Sequence, residues 1–304
     1  MNMQWRNRSS QIALATLGAL ALAAATTIAA AQSSDDDHRR GDPNLREELN
    51  RRMTALEQAG ALQSFPTLPH VPPDLFPDDL PVASADALSG PDLYERVCSA
   101  TVMFHTSYQC SKCSKWHGGV ATGFVIHPDG WIVTAAHVVN DLKDTDFCAV
   151  MLCDEVVYPV TGVYAVDDDR DTAIVKIDAH DLPALPLAHA PSRTGAAVSV
   201  VSHPQGHFYL LTQGVIARVM GGEADADERL QITAEFATGS SGAPVVDAHG
   251  NVIGMALATR TLYADEEDHD NPQLVIRMCV PVDEIRALLP DHATAADASS
   301  NIDE

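Results

Sequence analysis

Cationic side chains are scarce in this 304-residue sequence, which carries 19 Lys and Arg residues against 42 Asp and Glu residues and has a formal net charge of −23. A protein that binds nucleic acid or anionic lipid as its main partner needs a cationic surface, so we expect neither partner. Beyond residue 31, no apolar run reaches the roughly 18 residues of a membrane-spanning helix, and no repeat has a solenoid period. The apolar fraction of 46% predicts a folded, globular chain.

The first 31 residues have the composition of a secretory signal peptide. Arg6 and Arg8 precede an alanine-rich apolar run over residues 12–31, and Ala29 and Ala31 form an A-x-A cleavage site. Because the run is long enough to cross a membrane, an uncleaved anchor is the alternative. The alanine-rich composition favours cleavage, so we expect a secreted or periplasmic protein without membrane attachment.

An exported protein with six cysteines is expected to form disulfide bonds, although the pairing cannot be read from the sequence. The cysteines are Cys98, Cys110, Cys113, Cys148, Cys153 and Cys279. Cys110 and Cys113 form a C-x-x-C motif, for which a disulfide that closes an exposed loop is the simplest interpretation. A zinc site that adds His105 and His117 is an alternative. A redox pair is disfavoured because the βαβ context is absent, and Ser114 excludes haem attachment.

Residues 32–94 are predicted to form a leader between the signal peptide and the β-rich part of the chain. Pro43 follows the N-cap candidate Asp42, and Gly60 suits the end of a helix that begins there. The apolar stripe of this helix is Leu45, Leu49, Met53 and Leu56. Residues 66–92 are rich in proline and predict an extended linker. A pro-segment, a spacer and a docking arm are all consistent with this composition.

Residues 95–289 contain the short, turn-separated apolar segments of an all-β protein. A short helix is predicted over Pro281–Leu289, at the end of this part of the chain. Residues 290–304 are acidic and small, and we expect them to form a disordered tail. The predicted strands are Thr101–Phe104, Thr122–His127, Trp131–Thr134, Val156–Val166, Thr172–Ile177, Ala197–Val201, Leu210–Val219, Val252–Leu257 and Leu274–Val280.

Three motifs in the β-rich part carry side chains suited to acyl transfer. His137 follows a strand and a small-residue turn, a rigid position that suits a general base. Asp171 directly precedes an apolar strand, where its carboxylate can orient an imidazole. Ser241 lies between glycines, and the amides of Gly239 and Ser241 can form an oxyanion hole. Each motif alone has a non-catalytic explanation. Their order along the chain, His then Asp then Ser, differs from that of α/β-hydrolases and is far more specific.

The same motifs carry a family resemblance. T-A-A-H matches at Thr134–His137, D-x-A-[ILV] at Asp171–Ile174 and G-x-S-G-[GA]-P at Gly239–Pro244. The chain resembles the trypsin-like, chymotrypsin-fold serine proteases, most closely the bacterial HtrA/Deg-like or glutamyl-endopeptidase-like branch. Over residues 97–289 this resemblance implies two six-stranded β-barrels with the site between them.

The function implied by the resemblance is that of a secreted serine endopeptidase. His137, Asp171 and Ser241 would form a catalytic triad that acts on polypeptides and needs no cofactor or metal. Because few residues follow position 290, we expect no PDZ domain. A trypsin-like fold that serves as an extracellular binding module, with the leader filling its cleft, is the alternative.

The residues expected around the specificity pocket of this fold predict a preference for either basic or long aliphatic side chains. Glu235, six residues before the serine, would lie near the floor of the specificity pocket and favour Arg or Lys there. The alternative, to which we give equal weight, is that the Glu235 carboxylate faces solvent and takes no part in the pocket. Met255, Leu257 and Ala258 fall on the strand expected to wall the pocket, and they favour a long aliphatic side chain.

Overall fold

The computed structural model describes residues 42–110, 112–113, 116–140, 142, 146–189, 193–221, 228–265 and 270–293. The predicted signal peptide and the tail beyond residue 293 lie outside these residues. Within the described part, no helix is long and apolar enough to cross a membrane.

Two closed six-stranded barrels make up the body of the described chain, which confirms the all-β, two-barrel prediction. The first barrel contains β1 (Thr101–Gln109), β2 (Trp116–His127), β3 (Trp131–Thr134), β4 (Phe147–Met151), β5 (Val157–Asp167) and β6 (Thr172–Ile177). The second contains β7 (Ala197–Ser202), β8 (Leu210–Met220), β9 (Arg229–Ile232), β10 (Pro244–Val246), β11 (Val252–Asp265) and β12 (Asp270–Pro281). The hydrogen-bonded orders are β1-β2-β3-β6-β5-β4 and β10-β11-β12-β9-β8-β7.

Each barrel has its own apolar interior, and a third core fills the space between them. On β1, Val102 and Phe104 are buried inside the first barrel, whereas Met103 packs in the shared core. This alternation follows from the two-residue period of a strand. The second barrel is filled in the same way, with Val200 of β7 inside and Val201 in the shared core.

Three short strands, β4, β9 and β10, are not among the predicted ones. They contain five, four and three residues. β3 is as short, with four residues, but the Pro128–Gly130 turn directly before it marks its start. The β1–β2 hairpin also extends through polar residues to Gln109 and Trp116, because ladder hydrogen bonds do not depend on side-chain polarity.

The predicted leader helix is α1 (Asp42–Gln58), and it packs against the first barrel. Leu45, Leu49 and Met53 of its apolar stripe are buried in the shared core. The helix ends as expected at Gly60, whose φ is +66°. The amides of Gly60 and Ala61 donate to the carbonyls of Glu57 and Leu56, the pattern of a Schellman cap.

Residues 61–89, which we call the strap, follow an extended path across both barrels. Val71 and Pro69 exchange backbone hydrogen bonds of 2.8 and 3.0 Å with Val163 of β5. Further along the strap, the backbone of Ser84 is bonded by Asn251 in the second barrel at 2.8 and 2.9 Å. The proline-rich segment is therefore attached to both barrels.

A helix that the sequence analysis missed joins the strap to β1. This is α2 (Gly90–Ala100), and it begins inside the segment predicted as linker. Ser89 caps it by accepting a hydrogen bond from the Asp92 amide, and Pro91 occupies its first turn. Leu93 and Val97 bury its apolar face in the shared core.

At the other end of the chain, the closing helix is shorter than predicted and packing continues beyond it. This helix, α3, covers Val282–Arg286. Residues 291–293 are helical, and Ala293 is buried. His292 Nε2 lies 3.0 Å from the carbonyl oxygen of Phe76 in the strap. The prediction of disorder from residue 290 is therefore wrong as far as residue 293.

The six cysteines all lie within the described residues, and Cys110, Cys113, Cys148 and Cys279 are not joined by disulfide bonds there. Cys148 is buried inside the first barrel and Cys279 inside the second, so these two cannot pair with each other. Burial raises the pKa of both thiols and keeps them protonated. The arrangement of three disulfide bonds predicted from the count is absent from the structure.

Candidate active site

His137 and Asp171 form a hydrogen-bonded pair at the rim of the first barrel. His137 lies in the short 3₁₀ turn Ala136–Val138 that follows β3, and Asp171 directly precedes β6. His137 Nδ1 lies 2.8 Å from Asp171 Oδ2, and the His137 amide donates to Asp171 Oδ1 at 2.9 Å. A carboxylate can only accept, so Nδ1 carries the hydrogen and Nε2 remains free to accept a proton.

The pair shifts the acidity of both groups. The hydrogen bond that His137 donates to Asp171 raises the pKa of His137, against the opposing effect of burial. Burial alone would raise the pKa of Asp171, but hydrogen bonds from the His137 ring and amide outweigh it and hold that pKa below its usual value. Asp171 has a φ of +49°, a left-handed conformation that Asp adopts more readily than most residues. The turn thereby directs the carboxylate to the imidazole.

Ser241 lies on a glycine-flanked loop of the second barrel. Gly239 and Gly242 have φ values of +99° and +87°, and a Cβ at either position would lie 2.5 Å or less from a backbone oxygen. Only glycine fits these two positions. The loop is fixed to β2, since the amide of Thr122 donates to the Ser241 carbonyl and its hydroxyl donates to the Gly239 carbonyl, both at 2.9 Å.

The two serines of this loop have different environments. Ser240 is fully buried, and its hydroxyl bonds the Ser202 hydroxyl at 3.0 Å. Ser241 faces the open cavity between the barrels, and its hydroxyl donates to the Leu257 carbonyl at 3.3 Å. The Ser241 side chain must turn from Leu257 before it can reach His137.

The predicted oxyanion donors have no other role in the described part of the chain. The amides of Gly239 and Ser241 make no hydrogen bond there, whereas the Ser240 amide donates to Ala237. The carbonyl of Thr238 accepts from the Gln205 amide at 2.8 Å. Because the C=O and N–H of a trans peptide point in opposite directions, this bond turns the Gly239 amide away from Gln205.

The three side chains predicted to form a triad surround one cavity of about 500 Å³. It is lined by His137, Asp171, Phe236, Ala237, Thr238, Ser241, Leu257, Ala258 and Thr259. None of these lining residues comes from the leader. The described leader residues therefore leave the cavity open.

Two of the four predicted pocket residues lie elsewhere. The Glu235 carboxylate is 78% exposed and bonds Arg277 of β12 at 3.1 Å, so it does not form the pocket floor. Met255 is completely buried in the shared core and does not line the cavity. Leu257 and Ala258 do line the cavity. Phe236, which the sequence analysis missed, lines it directly after Glu235.

The fold and the site define a class of protein. Two closed barrels, with a histidine–aspartate pair on one and a serine on the other, have the architecture of the chymotrypsin fold. Two solved structures of the HtrA-type protease AlgW, with a tripeptide and with a decapeptide, share this fold with TM-scores of 0.53 and 0.54. They are 22% and 19% identical to the chain and cover 64% and 66% of it, and the match spans 60% and 66% of their own lengths.

Sequence comparison relates part of the chain to known peptidases. Residues 121–255 match the family described as trypsin-like peptidase domain. The chain is 35% identical over 141 residues to a probable periplasmic serine endoprotease DegP-like of Chlamydia pneumoniae, and 31% identical over 159 residues to the chloroplastic protease Do-like 5 of Arabidopsis thaliana. These matches cover 45% and 47% of this chain, but only 28% and 49% of the two relatives. The matched part of the chain is thus similar to a trypsin-like peptidase domain and to proteases of the DegP-like and Do-like kind.

Proposed function

We propose that this protein is a secreted or periplasmic serine endopeptidase that hydrolyses peptide bonds through His137, Asp171 and Ser241. The observation that carries the proposal is the His137–Asp171 pair, which shares a cavity with Ser241 and two unused amides. Periplasmic relatives and the predicted signal peptide support the location. The polypeptide substrate class follows from the protease relatives.

The mechanism is acyl transfer in two halves. Ser241 Oγ leaves the Leu257 carbonyl, gives its proton to His137 Nε2 and attacks the peptide carbonyl carbon. Asp171 stabilises the imidazolium that forms, and the Gly239 and Ser241 amides donate to the oxyanion. His137 then protonates the leaving amine, and water repeats the sequence to release the acid and restore Ser241.

A fluorophosphonate probe tests the nucleophile. The wild-type protein is expected to be labelled at a single serine, and Ser241→Ala is expected to lose the label together with peptidase activity. Ser240→Ala is the matched control, because it removes the adjacent hydroxyl, which faces Ser202 and not the cavity. Labelling of Ser241→Ala, or a folded wild-type protein that is never labelled, would contradict the proposal. The second outcome would favour a binding module built on the same fold.

The cavity also predicts which side chain precedes the cleaved bond. Phe236, Leu257 and Ala258 present apolar surface, and the nearest carboxylate on this loop, that of Glu235, is paired outside the cavity. In a peptide library, we expect kcat/KM for leucine, valine or methionine at this position to exceed that for arginine or lysine by about tenfold or more. Glu235→Gln should leave the preference unchanged. If the wild-type protein prefers arginine and Glu235→Gln loses that preference, Glu235 does form the floor of a pocket for basic side chains.

A further inference from the structure

The β1–β2 hairpin ends in a cluster of side chains that the proposed peptidase mechanism does not use. Cys110 follows β1, Cys113 lies in the turn, and His117 is the second residue of β2. One ligand atom from each of these residues lies within 4.8 Å of the other two. Cys113 Sγ and His117 Nε2 are already 3.1 Å apart.

These separations are close to those of a metal site. A tetrahedral zinc ion with Zn–S bonds of about 2.3 Å and Zn–N bonds of about 2.0–2.1 Å holds its ligand atoms roughly 3.5–3.8 Å apart. The three side chains therefore need only small rotations to converge. Thiolate and imidazole ligands together favour zinc over hard cations such as magnesium or calcium.

The structure also holds these ligands in place. The Tyr108 ring stacks on His117 with 5.8 Å between centroids, and the indole N–H of Trp116 donates to the Thr54 hydroxyl of α1 at 3.1 Å. These contacts orient His117 and attach the hairpin to the leader helix.

We propose that Cys110, Cys113 and His117 form a binding site for one zinc ion, with the fourth position open to water or an external ligand. Two thiolates balance the charge of the ion, so each bound zinc releases the protons of those two thiols to solvent. His105, the other histidine considered from the sequence, is not a ligand. It is buried on β1, and its Nδ1 lies 3.0 Å from the Gly119 carbonyl.

The position of the cluster gives the site a structural role. His117 and Thr122 both lie on β2, and Thr122 bonds the loop that carries Ser241. Thr122 lies five positions after His117, a distance of roughly 17 Å at about 3.3 Å per residue. A bound ion would therefore tie the two strands together at the outer end of the hairpin, and it needs no contact with the cavity.

Cobalt substitution tests the site in the reduced, metal-free full-length protein, with Ser241→Ala as background to prevent autolysis. One equivalent of Co²⁺ is expected to produce thiolate-to-metal charge-transfer absorption, and Zn²⁺ should abolish it at a 1:1 ratio. Cys113→Ser and His117→Asn are expected to weaken zinc binding at least tenfold by calorimetry. His180→Asn, which removes an exposed histidine elsewhere on the first barrel, should have no effect.

These readouts separate the zinc site from the peptidase proposal. His137 and Asp171 contain no sulfur, so metal bound there gives no thiolate absorption. The proposal is overturned if the reduced protein shows no such absorption, or if Cys113→Ser, shown to be folded by circular dichroism, retains wild-type affinity. It is also overturned if protein isolated without reductant contains a Cys110–Cys113 disulfide bond, since neither thiolate is then available.

Discussion

Replacing Asp171 with Asn is expected to lower kcat by about 10⁴-fold and leave the fold intact. Asn tolerates the left-handed backbone conformation at this position as well as Asp does. Its carboxamide can donate to His137 Nδ1, which favours the tautomer with the hydrogen on Nε2. In that tautomer, His137 cannot take the proton of Ser241. Steady-state hydrolysis of a library-derived peptide measures the loss.

The control for this change is Asp169→Asn, which removes an exposed carboxylate from the same acidic turn. An exposed charge is screened by solvent and salt, so kcat should stay within about twofold of the wild-type value. The pH profile gives a second readout. Asp171 raises the pKa of His137, so the residual activity of Asp171→Asn should persist to lower pH than that of the wild type. Equal losses in the two variants would exclude a specific role for Asp171.

Replacing Phe76 with Ala in the strap is expected to destabilise the folded protein by about 3–5 kcal/mol. The Phe76 ring is 3% exposed, and its centroid lies 4.5 Å from that of Trp131 and 5.3 Å from that of Tyr164. Its removal leaves a cavity between the strap and the first barrel. Urea unfolding followed by tryptophan fluorescence measures the change, since Trp131 borders the cavity.

Leu75→Ala is the matched control, because the neighbouring Leu75 side chain is 63% exposed. Its removal should change the free energy of unfolding by at most about 0.5 kcal/mol. If the two variants were equally stable, the strap would not be packed against the barrel. A large loss in Phe76→Ala alone would show that the leader is a structural part of the protein and not a removable pro-segment.

The sequence predicted the barrel strands best where a short apolar run lies between clear turns. β3 and β6 coincide with the predicted Trp131–Thr134 and Thr172–Ile177. The candidate triad was predictable for a related reason. His137, Asp171 and Ser241 each belong to a short motif whose local geometry is set by neighbouring residues.

The features that the sequence did not reveal depend on contacts between distant segments. The partner of Glu235 is Arg277, which lies 42 residues away on another strand. Likewise, the proline content of residues 66–92 indicates an extended backbone but not the surface that it binds. The tip of the β1–β2 hairpin is an intermediate case, because the sequence identifies the sulfur and nitrogen ligands and the structure selects His117 over His105.

The strap also affects when the protein can finish folding. In the strap, Ser84 forms hydrogen bonds with Asn251, which lies 167 positions later in the chain. The Phe76 carbonyl contacts His292, which lies 216 positions later. During synthesis these partners emerge long after the strap itself. Contacts of such long range slow folding, because the chain must close large loops before they form. The strap can therefore dock on the first barrel early, through Val163, Trp131 and Tyr164, whereas its contacts with Asn251 and His292 complete only after nearly the whole chain has been made.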